Sequence, residues 1–186
     1  MIEEAENIMI QILLFDKNNT QYISEAAELL ADNFPHAYGD CAPAEVRECL
    51  EDDKIAIVAV EEGHVVGFVG AIPDYDGNVW ELHPLVVAKE RQFQGIGTLL
   101  VQALEEECAK RGGITIYLGT DDEFEATTLG GVDIYDNIYE KIENIQNLKK
   151  HPFEFYQKVG YTIVGVIPDA NGYGKPDIMM AKRIGK

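Results

Sequence analysis

An α/β or α+β domain, with helices layered on a sheet, is the fold class the sequence predicts, and three observations carry it. Runs of strand character are mixed with stretches of helical periodicity along the whole chain, an order that packs helices against a sheet. Residues 79–87 alternate like a strand but hold a proline in their middle. Directly after them, Gln-x-x-Gly-x-Gly at 92–97 opens an amphipathic helix.

Taken in order, Ile8–Phe15 reads as a strand and Asn19–Asn33 as a helix with Ile23, Ala26, Ala27 and Leu30 inward. Pro43–Asp52 reads as a second helix, with Pro43 near its first position. Lys54–Val60 and His64–Ile72 form a hairpin around Glu62-Gly63. The proline-bearing strand spans about 78–88, and the helix after it carries the stripe Ile96, Leu99, Leu100, Ala103, Leu104 and Cys108. Ile114–Leu118 is a buried strand. From Thr120 to Lys150 the pattern loosens, although Ile134, Ile138, Ile142 and Ile145 keep helical spacing among many acids. Pro152–Val159 is a helix stopped by Gly160, and Tyr161–Ile167 with Asp177–Arg183 close the sheet. A chain of 186 residues suits one domain (1–186) that buries roughly two-thirds of its unfolded surface.

The net charge of −18 argues against nucleic acid, which is held by Lys and Arg on phosphates. Two readings of so much acid stay open: capture of a polycation, or solubility. Met1-Ile-Glu-Glu-Ala-Glu opens acidic where a secretory leader would be basic, and no apolar run suits a bilayer. Cys41, Cys49 and Cys108 are odd in number and unpatterned, which suits a reducing cytoplasm. His36, His64, His83 and His151 are scattered, so no zinc spacing and no metal is expected.

On the proline-bearing strand, Glu81, His83, Leu85 and Val87 share one face, with Trp80, Leu82 and Val86 on the other. Pro84 is either an ordinary edge-strand proline or the site of a bulge that splays the strand. A splayed strand leaves N–H and C=O groups for a linear, amide-containing ligand, of which the pantetheine arm of coenzyme A is one. Gly95 and Gly97 either permit a tight turn or clear the way for backbone N–H groups to meet an anion such as a pyrophosphate. No Gly-Lys-Ser/Thr phosphate loop is present, and Leu100 stands where a dinucleotide fingerprint needs a small residue. Backbone bonds to a charged oxygen contribute about 1.5–3 kcal/mol each, and the helix dipole adds roughly 0.3–1. With Lys89 and Arg91 nearby, a basic cofactor end and an acidic acceptor end are expected despite the net charge.

Gln92-Phe93-Gln94-Gly95-Ile96-Gly97 after such a strand resembles the cofactor motif of the GNAT superfamily of N-acetyltransferases. Longer runs narrow the resemblance: Trp80 to Val87, Gly112 to Asp122, Ile145 to Leu148 and His151 to Tyr156 are similar to the aminoglycoside 6'-N-acetyltransferases. The likeness runs from about residue 8 to about 183, leaving 1–7 as an N-terminal addition. It implies a mixed, mostly antiparallel sheet flanked by helices with a splayed central strand. It also implies acetyl-CoA as co-substrate, an aminoglycoside as acceptor, antibiotic resistance and a homodimer. The cofactor residues it implies are Leu85, Val86, Val87, Gln92, Phe93, Gln94, Gly95, Ile96, Gly97, Thr98 and Tyr156. Tyr156 is the implied general acid toward the sulfur. Many superfamily members carry Asn near the end of the strand that here closes with Gly119-Thr120, so that cofactor contact is not carried over.

Acetyl transfer from a thioester to an amine needs a neutral amine, a home for the developing oxyanion and a proton for the thiolate. Glu81 is the candidate base through a bridging water, or else binds the ammonium without taking its proton. His83 is a second candidate base or a structural histidine. The backbone N–H of Leu85 is the candidate oxyanion donor. No Ser, Cys or Lys sits where an acyl-enzyme would need it, so direct transfer in a ternary complex is expected. Acceptor contacts are assigned to Glu81, Tyr75, Tyr38 with Asp40, and Asp121 and Asp122 at the end of a strand. The rival readings are an acetyltransferase for polyamines or other small amines and a non-catalytic acyl-CoA-binding module.

Overall fold

The computed structural model describes residues 9–185, so residues 1–7, the expected N-terminal addition, and Ile8 of the first expected strand lie outside it. Two compact units divide the chain, one running to Ile114 and taking in the C-terminal end from Ile184, the other Thr115–Arg183.

In the first unit, β1 (Gln11–Leu14), β2 (Ile55–Glu61), β3 (His64–Asp74) and β4 (Val79–Val87) lie side by side in chain order, every pair antiparallel. The β2–β3 hairpin turns on Glu62 (φ 50) and Gly63 (φ 84), the doubly positive geometry whose twist matches that of the flanking strands. Helix α1 (Thr20–Asn33) begins at Asn19, whose side chain accepts the Tyr22 N–H at 3.1 Å. It buries Ala26, Ala27 and Leu30 against Phe15, Val58, Phe68 and Val86, with Ile23 partly buried beside them. After α2 (Pro35–Tyr38), α3 (Ala42–Cys49) contributes Val46 and Cys49 to the same core. It stops three residues short of the expected Asp52, where Leu50 leaves helical geometry and its N–H caps back to Arg47 O.

Helix α4 (Ile96–Lys110) buries Ile96, Leu100, Val101, Leu104 and Cys108. Leu99, expected inward, is 45% exposed. The helix packs on both β2 and β3, and the row Ile96, Leu100, Leu104, Cys108 that meets this surface is joined by Val101 on one side rather than by Leu99 on the other. Along β4 burial alternates without a break: Trp80, Leu82, Pro84 and Val86 are buried, while Glu81, His83, Leu85 and Val87 keep partial exposure.

In the second unit β7 (Asp177–Arg183) runs between β5 (Thr115–Asp121) and β6 (Thr162–Ile167), antiparallel to both. β5 extends three residues past the expected Leu118, and Ile114 lies outside it, 39% exposed. The helical spacing of isoleucines yields only the short α5 (Ile138–Glu143); Ile134 is buried in irregular chain instead. Helix α6 (Phe153–Lys158) ends where Gly160 adopts φ 99 and the Tyr161 N–H bonds back to Tyr156 O at 2.9 Å. Strands and helices in this arrangement make an α+β fold.

Candidate active site

The site begins with a mismatch of register. Val69 pairs with Leu85 and Ala71 with Leu82, so Gly70 alone faces both His83 and Pro84. Proline has no N–H to give the ladder, and one extra residue on β4 makes a bulge; the His83–Pro84 bond is cis. Between an edge-strand proline and a bulge, β4 has the bulge. It fits because residue 70 is glycine: a Cβ there would lie 2.5 Å from the His83 carbonyl oxygen. Farther along, the Ala88 N–H donates to Val66 O at 2.9 Å, which marks that pair as hydrogen-bonded. Antiparallel alternation then bonds Val86 to Phe68 and turns the N–H groups of Leu85 and Val87 away from β3.

Glu81 stands before the bulge and His83 within it, both on the partly exposed face. Among the described residues, the Glu81 carboxylate has neither a hydrogen-bond nor an ion-pair partner. His83 is held by two helices. Its Nε2 lies 3.3 Å from the Tyr38 hydroxyl, at the end of α2, and 3.3 Å from Glu45 Oε1, in the first turn of α3. The Tyr38 ring meets the imidazole edge-on at 6.2 Å and Phe34 at 5.9 Å. Glu45 was not among the residues expected here. The only sequence sign of it is its place one turn before the buried Cys49, whose Sγ lies 3.9 Å from the His83 carbonyl. Burial, with Glu45 adding to it, pushes the Cys49 thiol up to about 12, so it stays a neutral packing group.

After β4 the chain makes one 3-10 turn, Lys89–Arg91, and enters the glycine-bearing segment. The Gln92 side-chain amide donates to Val87 O at 3.1 Å and to Asn33 Oδ1 at 3.2 Å, and Gln94 donates to Glu90 O at 2.9 Å. These bonds fold the segment over itself. Phe93 sits at φ 62 with its ring 97% exposed, and Gly95 at φ 90 caps α4. A Cβ at Gly95 would touch nothing within 4 Å, so it is the left-handed backbone, not lack of space, that favours glycine. Among the described residues no group accepts from the N–H groups of Phe93, Gln94 or Gly95. With Ile96, Gly97 and Thr98 forming the first turn of α4, they make a helix entrance whose donors are of the kind that suits an anion.

Lys89 and Arg91, expected to lend positive charge to this end, are already engaged. The Lys89 ammonium donates to Asp32 O at 2.7 Å, and Arg91 Nε lies 2.7 Å from Glu61 Oε2. Both brace the entrance against neighbouring elements, because the nearest acceptors lie on α1 and β2.

In the second unit, Asp122 proves structural. It is 1% exposed, and its carboxylate accepts from the Ala126 N–H (2.6 Å), the Thr127 N–H (2.9 Å) and the Thr127 hydroxyl (2.7 Å). The expected contact with an acceptor amine gives way to holding this loop. Asp121 is exposed, accepts from the Asn171 side chain, and offers its carbonyl to His151 Nε2 at 3.0 Å. Tyr156 is buried against Phe155 and Tyr161, and burial pushes its phenol well above the ordinary tyrosine range. Tyr75 is 71% exposed, its N–H tied to the Asp74 carboxylate at 2.9 Å, and Asp40 is exposed. Among the described residues no cluster of three or more His, Cys, Asp or Glu could hold a metal ion, and no helix is long and apolar enough to cross a membrane.

Comparison with known proteins gives these features a setting. A family profile described as Acetyltransferase (GNAT) family matches residues 23–128. A solved aminoglycoside 6'-N-acetyltransferase complexed with coenzyme A is 52% identical, covering 94% of this chain and 97% of that one, at a TM-score of 0.92. The aminoglycoside 6'-N-acetyltransferase from Enterococcus faecium is also 52% identical with the same coverage, at 0.90. An aminoglycoside 6'-acetyltransferase of type Ii is 45% identical, again covering 94% and 97%, at 0.75. No curated protein in the comparison matches the chain. A profile spanning more than half of the sequence and near-complete alignment to half-identical relatives place the chain in the acetyltransferase (GNAT) family, among the aminoglycoside 6'-N-acetyltransferases.

Proposed function

We propose that this protein transfers the acetyl group of acetyl-CoA to the 6'-amino group of an aminoglycoside, by direct attack in a ternary complex, and so gives antibiotic resistance. The observation that carries this reading is near-complete alignment with aminoglycoside 6'-N-acetyltransferases at half identity, over a β4 that has the expected bulge. Acetyl-CoA fits the residues present: the uncommitted N–H groups of Phe93, Gln94 and Gly95 suit a pyrophosphate, and the bulged strand suits an amide-bearing arm. When bound, acetyl-CoA supplies an activated acyl carbonyl and a thiolate leaving group.

Glu81 draws the acceptor ammonium and, through a water, takes its proton; its unpaired, partly exposed carboxylate supports the role. The Leu85 N–H steadies the carbonyl oxygen as it gains charge, and its direction away from β3 supports that. Tyr156 gives a proton to the departing sulfur; burial keeps its phenol protonated at neutral pH. Tyr38, Tyr75 and Asp121 contact the acceptor, His83 orients it, and Leu85 to Val87, Gln92 to Thr98 and Tyr156 hold the cofactor. The protein acts as a cytoplasmic homodimer: three free cysteines suit a reducing compartment, and the dimer follows from the family resemblance.

The test is thiol release from acetyl-CoA with kanamycin, spermidine or a short peptide as acceptor, followed by product mass and regiochemistry. Fast release with kanamycin and a single acetyl on its 6'-amine is the expected result. Preference for spermidine, or no release with any acceptor, would overturn the substrate assignment.

A further inference from the structure

We propose that Glu45 is a positioning residue for the acceptor amine: it holds His83 as the Nε2–H tautomer and thereby presents Nδ1 as a bare hydrogen-bond acceptor beside Glu81. The inference rests on the acceptor chemistry proposed above. An ionised carboxylate can only accept. With Glu45 Oε1 at 3.3 Å from His83 Nε2, a proton on Nε2 makes the contact attractive, whereas a bare nitrogen there would set a lone pair against an anion. The Tyr38 hydroxyl, also 3.3 Å from Nε2, can donate or accept and so does not choose between tautomers. Glu45 does. In the neutral ring the remaining nitrogen, Nδ1, is then the acceptor.

Nδ1 has no partner among the described residues, and the His83 side chain is 38% exposed. Glu81 lies two residues earlier on the same strand face, a spacing of roughly 6.6 Å. An ammonium with three N–H groups can therefore meet a carboxylate and an imidazole nitrogen together. Glu45 is well placed to act through His83, because α3 is fixed by its buried neighbours Val46 and Cys49 and the Glu45 side chain is only 21% exposed. A mere helix-to-sheet tether would use the same contact but would leave the tautomer and the acceptor KM indifferent to it.

Long-range proton–nitrogen NMR on the full chain, with the His83 signal assigned by its loss in His83→Gln, reads the tautomer with no acceptor present. Wild-type protein should show neutral His83 as Nε2–H. Glu45→Ala should show a mixture, and its aminoglycoside KM should rise about 3–10-fold while the acetyl-CoA KM stays put. Glu45→Gln, whose side-chain carbonyl can still accept from Nε2–H, should recover most of the loss. An Nδ1–H tautomer in wild-type protein, an unchanged tautomer in Glu45→Ala, or an unchanged aminoglycoside KM would each overturn the proposal. The wild-type reading needs no variant, so a Glu45→Ala chain that failed to fold would still leave it open to refutation. Absence of aminoglycoside acetylation by wild-type protein would sink the function instead, and the NMR result would still report on Glu45.

Discussion

Gly70→Ala tests whether the β4 bulge is what the reaction stands on. The added Cβ would sit 2.5 Å from the His83 carbonyl oxygen and 3.4 Å from both its carbon and Cys49 Sγ. Ordinary contact begins near 3.4 Å, so the His83 backbone must retreat by about 0.9 Å. No flexible side chain can absorb that, because the obstructing atom belongs to the strand that carries Glu81 and Leu85. Overpacking of this kind costs about 1–3 kcal/mol, or several degrees in Tm for a chain of this size. A misplacement near 1 Å at a reacting centre lowers the rate by up to about 100-fold. The expected result is a modestly lower Tm, kcat for aminoglycoside acetylation down roughly 10–100-fold, and a smaller loss of acetyl-CoA affinity, since the bulged strand takes the amide-bearing arm while the helix entrance that suits the pyrophosphate lies beyond it. Calorimetry, steady-state kinetics and cofactor titration read the three effects separately. Gly63→Ala is the control: it strains a left-handed residue (φ +84) with nothing within 4 Å and should lower stability without touching kcat. A Gly70→Ala enzyme with wild-type turnover would refute the bulge as an organising feature.

Three further outcomes are expected. Glu81→Gln should lower kcat by about 10²–10⁴-fold with acetyl-CoA affinity kept; an unchanged kcat would remove Glu81 as the base. The net charge of −18 should make the KM for polycationic aminoglycosides rise with salt, since screening shortens electrostatic capture; a salt-independent KM would point to contact alone. His151 is buried and neutral in form, with Nε2 3.0 Å from Asp121 O and Nδ1 3.3 Å from the Phe153 N–H. Burial lowers its pKa from 6.5, against the pull of the Asp121 carbonyl and the nearby carboxylates. A depressed folded pKa means its contribution is whole above 6.5 and is lost as pH falls below that toward the folded value. Thermal midpoints should therefore drop more between about pH 7 and pH 5 in wild type than in His151→Gln; parallel curves would contradict this.

How far the fold could be read depended on whether the deciding contacts were local. The β2–β3 hairpin was legible because Glu62-Gly63 supplies both positive φ angles within the turn itself. The faces of β4 were legible because a strand has only two. Helix α4 was legible as a helix, but which face it buries was settled by β2 and β3, and they took Val101 over Leu99. Between Thr120 and Lys150 the isoleucine spacing promised more helix than formed. There Asp122 and Asp133 spend their carboxylates on backbone N–H groups a few residues on, at Ala126 and Thr127 and at Tyr135. Such bonds offer the chain an alternative to helix, and periodicity does not register them.

The candidate site divides along the same line, and the division bears on how an acidic protein holds an anionic cofactor. Glu81, His83 and Leu85 could be named from sequence because three alternate residues on one strand share a face. Glu45 could not, since nothing near it in the chain specifies a partner on β4. Lys89 and Arg91 looked like a basic end for the cofactor for the opposite reason: they adjoin the motif, but the Asp32 backbone carbonyl that Lys89 meets and the Glu61 carboxylate that Arg91 pairs with are distant in sequence. With 33 acids to 15 bases, a cation in this chain readily finds an acid, as Lys17 does with Asp52 and Lys54 with Glu48 and Glu51. Backbone N–H groups cannot be neutralised in that way. Those of Phe93, Gln94 and Gly95 keep their donor capacity whatever the surface charge, so on the proposed function an acidic surface for a polycationic acceptor and a phosphate-binding entrance to α4 are compatible in one chain.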